Sequence, residues 1–437
     1  MKKIICLLLA ALLLLSGCGG GNTETPTEPT EPPFEATCPT IPEYTGSTDE
    51  ELLQWRRDVV EQQMRYMTTV RWTSPYDVVY SLKSKSKGPD VDILTSPNDV
   101  ITLVGGRIYE GIPYTHASGS PYSFVSYATE QREDGTLVIN NFSTALLNGT
   151  GRVPERHGRM GTDCADQLFW AWSHVATSIT FNLTVNMTEK YGCLKVGDYV
   201  YEGEQNLDTK GACKENGIER MCEAYALLQK GDGIVHCQNS GGGHSQMVVS
   251  VNVVRTEDGV IDPVNSYVTT LEQSSGCERE QTSFYIDETT GETIYQLEEP
   301  DRIYKFSDLF LSGYLPITCK ELIDPSPLEE PVIKDSVTNP SLDNLFEGIV
   351  SCNYRIGSIT ITIADESGKT VQESTMLALN NEIESIDLTR YEDPIEQDVL
   401  KGLMDLNYLE SGTYTATYTA QISTGEVLTF RTFTFTK

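Results

Sequence analysis

Cys164 is the residue whose position in this chain best suits nucleophilic chemistry. The run Gly161-Thr162-Asp163-Cys164-Ala165-Asp166 leads into Leu168, Phe169, Trp172 and Val175, apolar positions spaced like the buried face of a helix. A cysteine at the mouth of that helix meets unpaired N–H groups and the positive end of the helix dipole. Both favour the thiolate, which is the form that attacks a carbonyl carbon. Such chemistry needs a base, and the chain has five histidines. His157 precedes the helix in a Gly/Arg-rich loop. His174 lies further along the same helix, about two and three-quarter turns from Cys164, which is out of reach. His236 falls inside the strand-like run Ile234-Val235-His236-Cys237. His244 follows Gly241-Gly242-Gly243 and opens an alternating strand with Met247, Val249, Val251 and Val253 on one face. A histidine at the mouth of a strand, after a flexible turn, can face a cleft. His244 is therefore the expected base. The segment Arg107 to His116 mixes rings with polar tips, and Tyr109, Tyr114 and His116 are expected to line the same cleft. Asp163 is expected to contact substrate beside the thiol.

Other elements must position these groups. Thr48-x-x-Glu51 fits a capping box before Leu52, Trp55, Val59, Val60, Met64 and Met67 at helical spacing. Residues 98–115 read as strand and turn. All four tryptophans precede residue 175, so the N-terminal helix and the middle region are expected to share one core. Pro325, Pro327, Pro331 and Pro340 mark a linker over residues 324–340. Beyond it, Ile359, Ile361 and Ile363 alternate with threonine, as do Tyr414, Ala416, Tyr418, Ala420 and Ile422. The alternation slips between Phe430 and Phe433, which predicts a bulge near Arg431 and Thr432. Residues 341–437 thus read as an all-β, immunoglobulin-like sandwich.

The first residues read as an export signal. Lys2 and Lys3 precede an apolar run from Ile4 to Leu15, too short to span a bilayer comfortably. Leu15-Ser16-Gly17-Cys18 resembles the lipobox of bacterial lipoproteins, which implies cleavage after residue 17, lipid on Cys18 and a place at the extracellular face of the cell membrane. Residues 18–48, rich in Thr, Glu and Pro, read as a stalk. The formal net charge is −31; loss of Lys2 and Lys3 with the signal takes it to −33. That excludes nucleic acid as an expected partner and leaves the lipid as the only expected membrane contact. Of eleven cysteines, Cys6 leaves with the signal, Cys18 takes lipid and Cys38 sits in the stalk. The remaining eight permit disulfides whose pairing the sequence leaves open. No CxxC pair occurs, so neither a metal nor another cofactor is expected.

Asp163-Cys164-Ala165-Asp166 opening a helix resembles the nucleophile motif of NlpC/P60 and CHAP cysteine peptidases. Lys230-Gly231-Asp232-Gly233-Ile234-Val235 is similar to their turn into the first core strand, and Gly243-His244 to the opening of the next. Leu271-Glu272-Gln273-Ser274 is similar to the Glu-Gln-Asn segment of CHAP domains. The chain departs from the pattern at Ala165 and Ser274 and carries a long insertion before His244, including a second Gly197-Asp198 turn. The resemblance covers about residues 161–276. It implies an α+β fold, with a papain-like NlpC/P60 core of N-terminal helices and antiparallel sheet over residues 49–323. It implies cleavage of an amide bond in peptidoglycan by Cys164, with His244 as base and Glu272 orienting the imidazole. Gln273 and Asp262 remain open as the third residue. Asp262-Pro263 resembles the aspartate-proline of transglutaminase-like proteins, an alternative with the same nucleophile. A non-catalytic surface binding lipoprotein with a degenerate peptidase fold is the other alternative.

Overall fold

A capping box starts the first helix, α1 (Asp49–Thr69). Thr48 Oγ1 accepts the Glu51 N–H while the Glu51 carboxylate returns to the Thr48 N–H, as the sequence predicts. Its buried stripe includes the expected Val59, Val60, Met64 and Met67, together with two arginines, Arg56 and Arg57. The computed structural model describes residues 38–81, 100–114, 124–125, 128–139, 161–180, 184, 187–201, 208–238, 242–274, 280–377, 385–391, 400–401 and 404–437. The expected signal peptide, most of the expected stalk, Cys18, His116, His157 and Cys277 lie outside them. No helix among the described residues is long and apolar enough to cross a membrane.

The fold is α+β. A six-stranded antiparallel sheet runs in the order Arg302–Lys305, Tyr267–Glu272, Gly243–Asn252, Gly233–Cys237, Leu315–Cys319, Cys193–Lys195. Helix α2 (Cys164–Ser173) packs onto it through Leu168, which lies so close to Gly233 that a Cβ there would come within 2.9 Å of Leu168 Cδ2. Two short helices, α3 (Thr209–Asn216) and α4 (Ile218–Tyr225), occupy the insertion before the Gly233–Cys237 strand, and α5 (Phe306–Ser312) precedes Leu315–Cys319. A second six-stranded sheet contains Arg71–Thr73, Ile108–Glu110, Ala128–Gln131, Leu137–Ile139, Phe284–Ile286 and Thr293–Gln296. Two of its pairings are parallel. Trp72, Trp170 and Trp172 are buried in one core with the α1 stripe, and Trp55 packs against it, as expected.

The Gly-Asp turn is held from α1. Gly231 has φ +87°, the left-handed conformation that glycine adopts without strain, and its carbonyl accepts the Trp172 Nε1–H at 2.7 Å. Asp232 is buried against Arg57 Nη1 at 2.9 Å, Thr318 Oγ1 at 2.7 Å and the Gln229 N–H at 2.8 Å. Burial raises the Asp232 pKa, and the net direction stays upward despite the opposing pull of Arg57 and Thr318. Removing one partner of such a pair strands the other charge without solvent. Arg57→Ala is therefore expected to cost about 3–5 kcal/mol in urea unfolding; a loss below about 1 kcal/mol would mean that the turn is held some other way.

The C-terminal part has its own core. A three-stranded sheet (Ile333–Asp335, Ile349–Cys352, Ser385–Asp387) and a five-stranded sheet share it. The five strands run Leu400–Lys401, Thr370–Leu377, Ile356–Asp365, Thr413–Ile422, Val427–Thr436, and all of their pairings are antiparallel. The residues read as alternating, Ile359, Ile361, Ile363, Ala416, Tyr418 and Ala420, are all fully buried. Tyr418 pairs with Arg431 and Thr419 with Thr429. The bulge is therefore at Phe430, one residue before the predicted place. The proline-rich segment supplies the strand Ile333–Asp335, so the β part begins inside the expected linker. Asp335 binds Arg431 through both carboxylate oxygens at 2.7 Å. The two cores are fastened together. Arg355 stacks on Phe169 and Trp170 of α2, at 4.5 and 4.1 Å from their ring centroids, and Ser423 Oγ donates to the Ser173 carbonyl at 2.6 Å.

Candidate active site

Cys164 is the first residue of α2, as its sequence context predicts, and Asp163 is the N-cap. One Asp163 oxygen, Oδ1, accepts the N–H groups of Ala165 and Asp166, each at 2.9 Å. The Asp163 carbonyl accepts the Gln167 N–H. These bonds occupy three amides of the first turn and leave the Cys164 N–H as the helix-start donor. Asp163, expected to touch substrate, is thus the residue that builds the helix mouth. Ser245 Oγ donates to the Cys164 carbonyl at 2.8 Å and ties that mouth to the start of the Gly243–Asn252 strand. The thiol is free and the residue is buried.

His244 joins the nucleophile to an acid. Its imidazole interacts with Cys164, and Nε2 lies 2.6 Å from Glu272 Oε2. The register explains the second contact. Glu272 stands directly opposite Gln246, and residues 244 and 246 share a strand face. Glu272, buried, also receives Gln246 Nε2 at 2.7 Å on Oε2, with Arg302 Nη1 and Tyr304 Oη at 2.9 Å each on Oε1. Burial alone raises a carboxyl pKa, yet His244, Arg302 and Tyr304 outweigh it and hold Glu272 below its usual range. Burial likewise opposes an imidazolium, but the interactions with Cys164 and Glu272 push His244 up to about 10. His236, its cross-strand neighbour, is pushed the other way, to about 4, by burial and by His244.

The aromatic segment divides. Tyr114 reaches the site and interacts with Cys164. Burial first, then the charges of Cys164, Asp163 and Glu298, raise its pKa far above the ordinary value, so it remains a protonated donor. Tyr109 does not reach it. Its ring packs 5.2 Å from Trp72, its hydroxyl accepts the Val104 N–H at 2.7 Å, and it is 1% exposed. A tyrosine with its tip satisfied inside a core carries the same sequence signal as one in a cleft.

The other options for the third residue separate cleanly. Gln273 sits one place beyond the end of the Glu272 strand, and its Nε2 bonds the Ile112 carbonyl instead of His244. Asp262 lies in the turn beyond Asn252, at the far end of the strand that His244 opens, roughly 26 Å along it. There it binds Val264 N–H, Asn265 N–H and Asn265 Nδ2. The geometry removes Asp262 from the site, and Asp262→Ala is expected to leave kcat/KM within about twofold of the parent. His174 is the C-cap of α2, with Nδ1 2.6 Å from the Trp170 carbonyl.

Sequence reasoning missed Ser245, Gln246, Arg302, Tyr304 and Tyr314, whose hydroxyl accepts Gln246 Nε2 at 3.3 Å. Gln246 carried a signal, a polar residue two places after His244 and so on the same strand face. The Arg-Ile-Tyr-Lys strand carried none, because nothing local shows which strand it will pair with. All eight described cysteines are free, and Cys193 faces Cys319 across two strands. Among the described residues no group of three or more His, Cys, Asp or Glu is placed to hold a metal. A cavity of about 440 Å³ lined by Phe169, Ser173, Glu321, Tyr354 and Arg355 includes none of Cys164, His244 or Glu272. No family model matches the chain, and no curated protein matches it.

Proposed function

We propose that this chain is a cell-surface cysteine hydrolase that cleaves amide bonds of peptidoglycan, built on a papain-like NlpC/P60–CHAP-type core with an immunoglobulin-like domain behind it. The observation that carries the reading is the continuous Cys164–His244–Glu272 relay, set by a helix mouth and two adjacent antiparallel strands. In this mechanism the Cys164 thiolate attacks the amide carbonyl carbon, and the Cys164 N–H receives the oxyanion. His244 gives its proton to the departing amine nitrogen, the C–N bond breaks and a thioester remains. His244 then takes a proton from water as the oxygen attacks the thioester, and the C–S bond breaks to return the thiolate. Glu272 stays ionised throughout and holds the ring. Since Nε2 faces Glu272, Nδ1 is the nitrogen that serves the sulfur.

Peptidoglycan is the proposed substrate on two grounds. One is the order of the Asp-Cys, Gly-Asp and Gly-His segments; the other is the lipobox-like Cys18 with its Thr/Glu/Pro-rich spacer, which suits an enzyme tethered beside a cell wall. The test is incubation of the chain from residue 38 onward with purified muropeptides, read by mass spectrometry. Hydrolysis adds one water at a stem-peptide bond or at the glycan–peptide bond, and Cys164→Ala abolishes it. Intact muropeptides, together with a Cys164 that iodoacetamide labels no faster than an ordinary exposed thiol, would leave the non-catalytic binding reading in its place.

A further inference from the structure

Glu272 has two oxygens, and each is used differently. Oε2 faces His244 and Gln246, while Oε1 faces Arg302 Nη1 and Tyr304 Oη, both at 2.9 Å. Arg302 comes from the outermost strand of the sheet, where it stands opposite Thr270. Its guanidinium lies over the Tyr304 ring at 5.3 Å, and its side chain is 46% exposed. The cation therefore reaches the catalytic carboxylate from the solvent side without touching sulfur or imidazole.

We propose that Arg302 is a positioning residue that sets how tightly His244 holds its proton, acting through Glu272. This rests on the hydrolase reading above. A buried carboxylate facing an imidazole with no counter-charge would hold the ring proton too firmly. His244 has to surrender that proton to the leaving amine on every turnover. Arg302 draws part of the Glu272 charge to the opposite oxygen and weakens that hold. The other groups around the pair leave this role to Arg302. Cys164 and Glu272 are the groups that favour the charged ring, and His236 is neutral. Gln246, Tyr304, Tyr314 and Tyr114 are uncharged partners. Glu299 sits 4.0 Å from Arg302 on the outer side. Among the described residues Arg302 is the basic residue that contacts the relay.

The test compares the parent with Arg302→Met and Arg302→Lys, using the pH profiles of kcat/KM and of iodoacetamide alkylation at Cys164. In Arg302→Met the alkaline inflection, where His244 loses its proton, should move up by about half a pH unit, an exposed cation being partly screened. The rate should fall several-fold through kcat, with KM within about twofold. Arg302→Lys, which restores the charge, should return the inflection to its parental place. An unmoved inflection in Arg302→Met, or a rise in KM alone, overturns the proposal and leaves the hydrolase reading intact. A parental alkylation profile identical to that of His244→Ala overturns both.

Discussion

His244→Ala is expected to lower kcat for muropeptide hydrolysis by about 10³–10⁴-fold, and to lower the unfolding temperature near neutral pH because buried Glu272 loses its partner. The imidazole performs both proton transfers, and among the described residues no second histidine is placed to take over. His236 is on the neighbouring strand, but burial keeps it neutral and its ring packs against Tyr314 at 4.8 Å. The same change should slow alkylation of Cys164 near neutral pH, because the thiolate loses its cationic partner. Stability carries a separate signature. His244 is raised from 6.5 to about 10 in the folded protein. Its charged interactions therefore stabilise the native state fully below about pH 6.5 and are lost as the pH climbs through about 10. The alanine variant should lack that alkaline loss. A variant that keeps more than about a tenth of parental kcat would remove His244 from the base role.

Much of the site was legible because its signals are local. A cysteine just ahead of an apolar helical stripe specifies the mouth of α2 within about ten residues, although the capping role of Asp163 was not read. The glycines before His244 and the alternation after it specify a strand and place its start to within a residue or two. The bulge at Phe430 was visible because an inserted residue shifts the alternation. What the sequence withheld was pairing between distant segments. The strand that supplies Arg302 and Tyr304 joins the sheet edge about thirty residues after its partner, and four polar–apolar letters do not encode that choice. Tyr109 and Tyr114 show the same limit at the scale of one turn. Five residues apart in one segment, one fills the core against Trp72 and the other reaches the thiol. The partner of each hydroxyl, Val104 in one case and Cys164 in the other, is a tertiary fact. Asp262 lost its place for a related reason. It follows His244 closely in sequence, but the strand between them carries it to the far end of the sheet.

Glu272→Gln offers the sharpest test of the relay, because it and Arg302→Met should move the same inflection in opposite directions. Glutamine keeps the size and one acceptor oxygen but removes the negative charge beside the ring. With that charge gone, burial weighs more heavily against the imidazolium, and His244 should lose its proton at a lower pH than in the parent. The alkaline inflection of kcat/KM therefore moves down, and kcat near neutral pH falls by about 10–100-fold. Acid stability should change as well. Glu272 is held below its usual range in the folded protein, so the native state gains stability above about pH 4.5 and loses it as the pH falls further. The glutamine variant should not show that loss. Glu272→Ala is harsher, since it strands Arg302 Nη1, Tyr304 Oη and Gln246 Nε2 without their acceptor. It should cost about 2–4 kcal/mol in unfolding on top of the loss in rate. If Glu272→Gln leaves the inflection where it stands while Glu272→Ala merely unfolds the protein, the carboxylate is a structural clamp for three strands. His244 would then have to be charged by Cys164 alone.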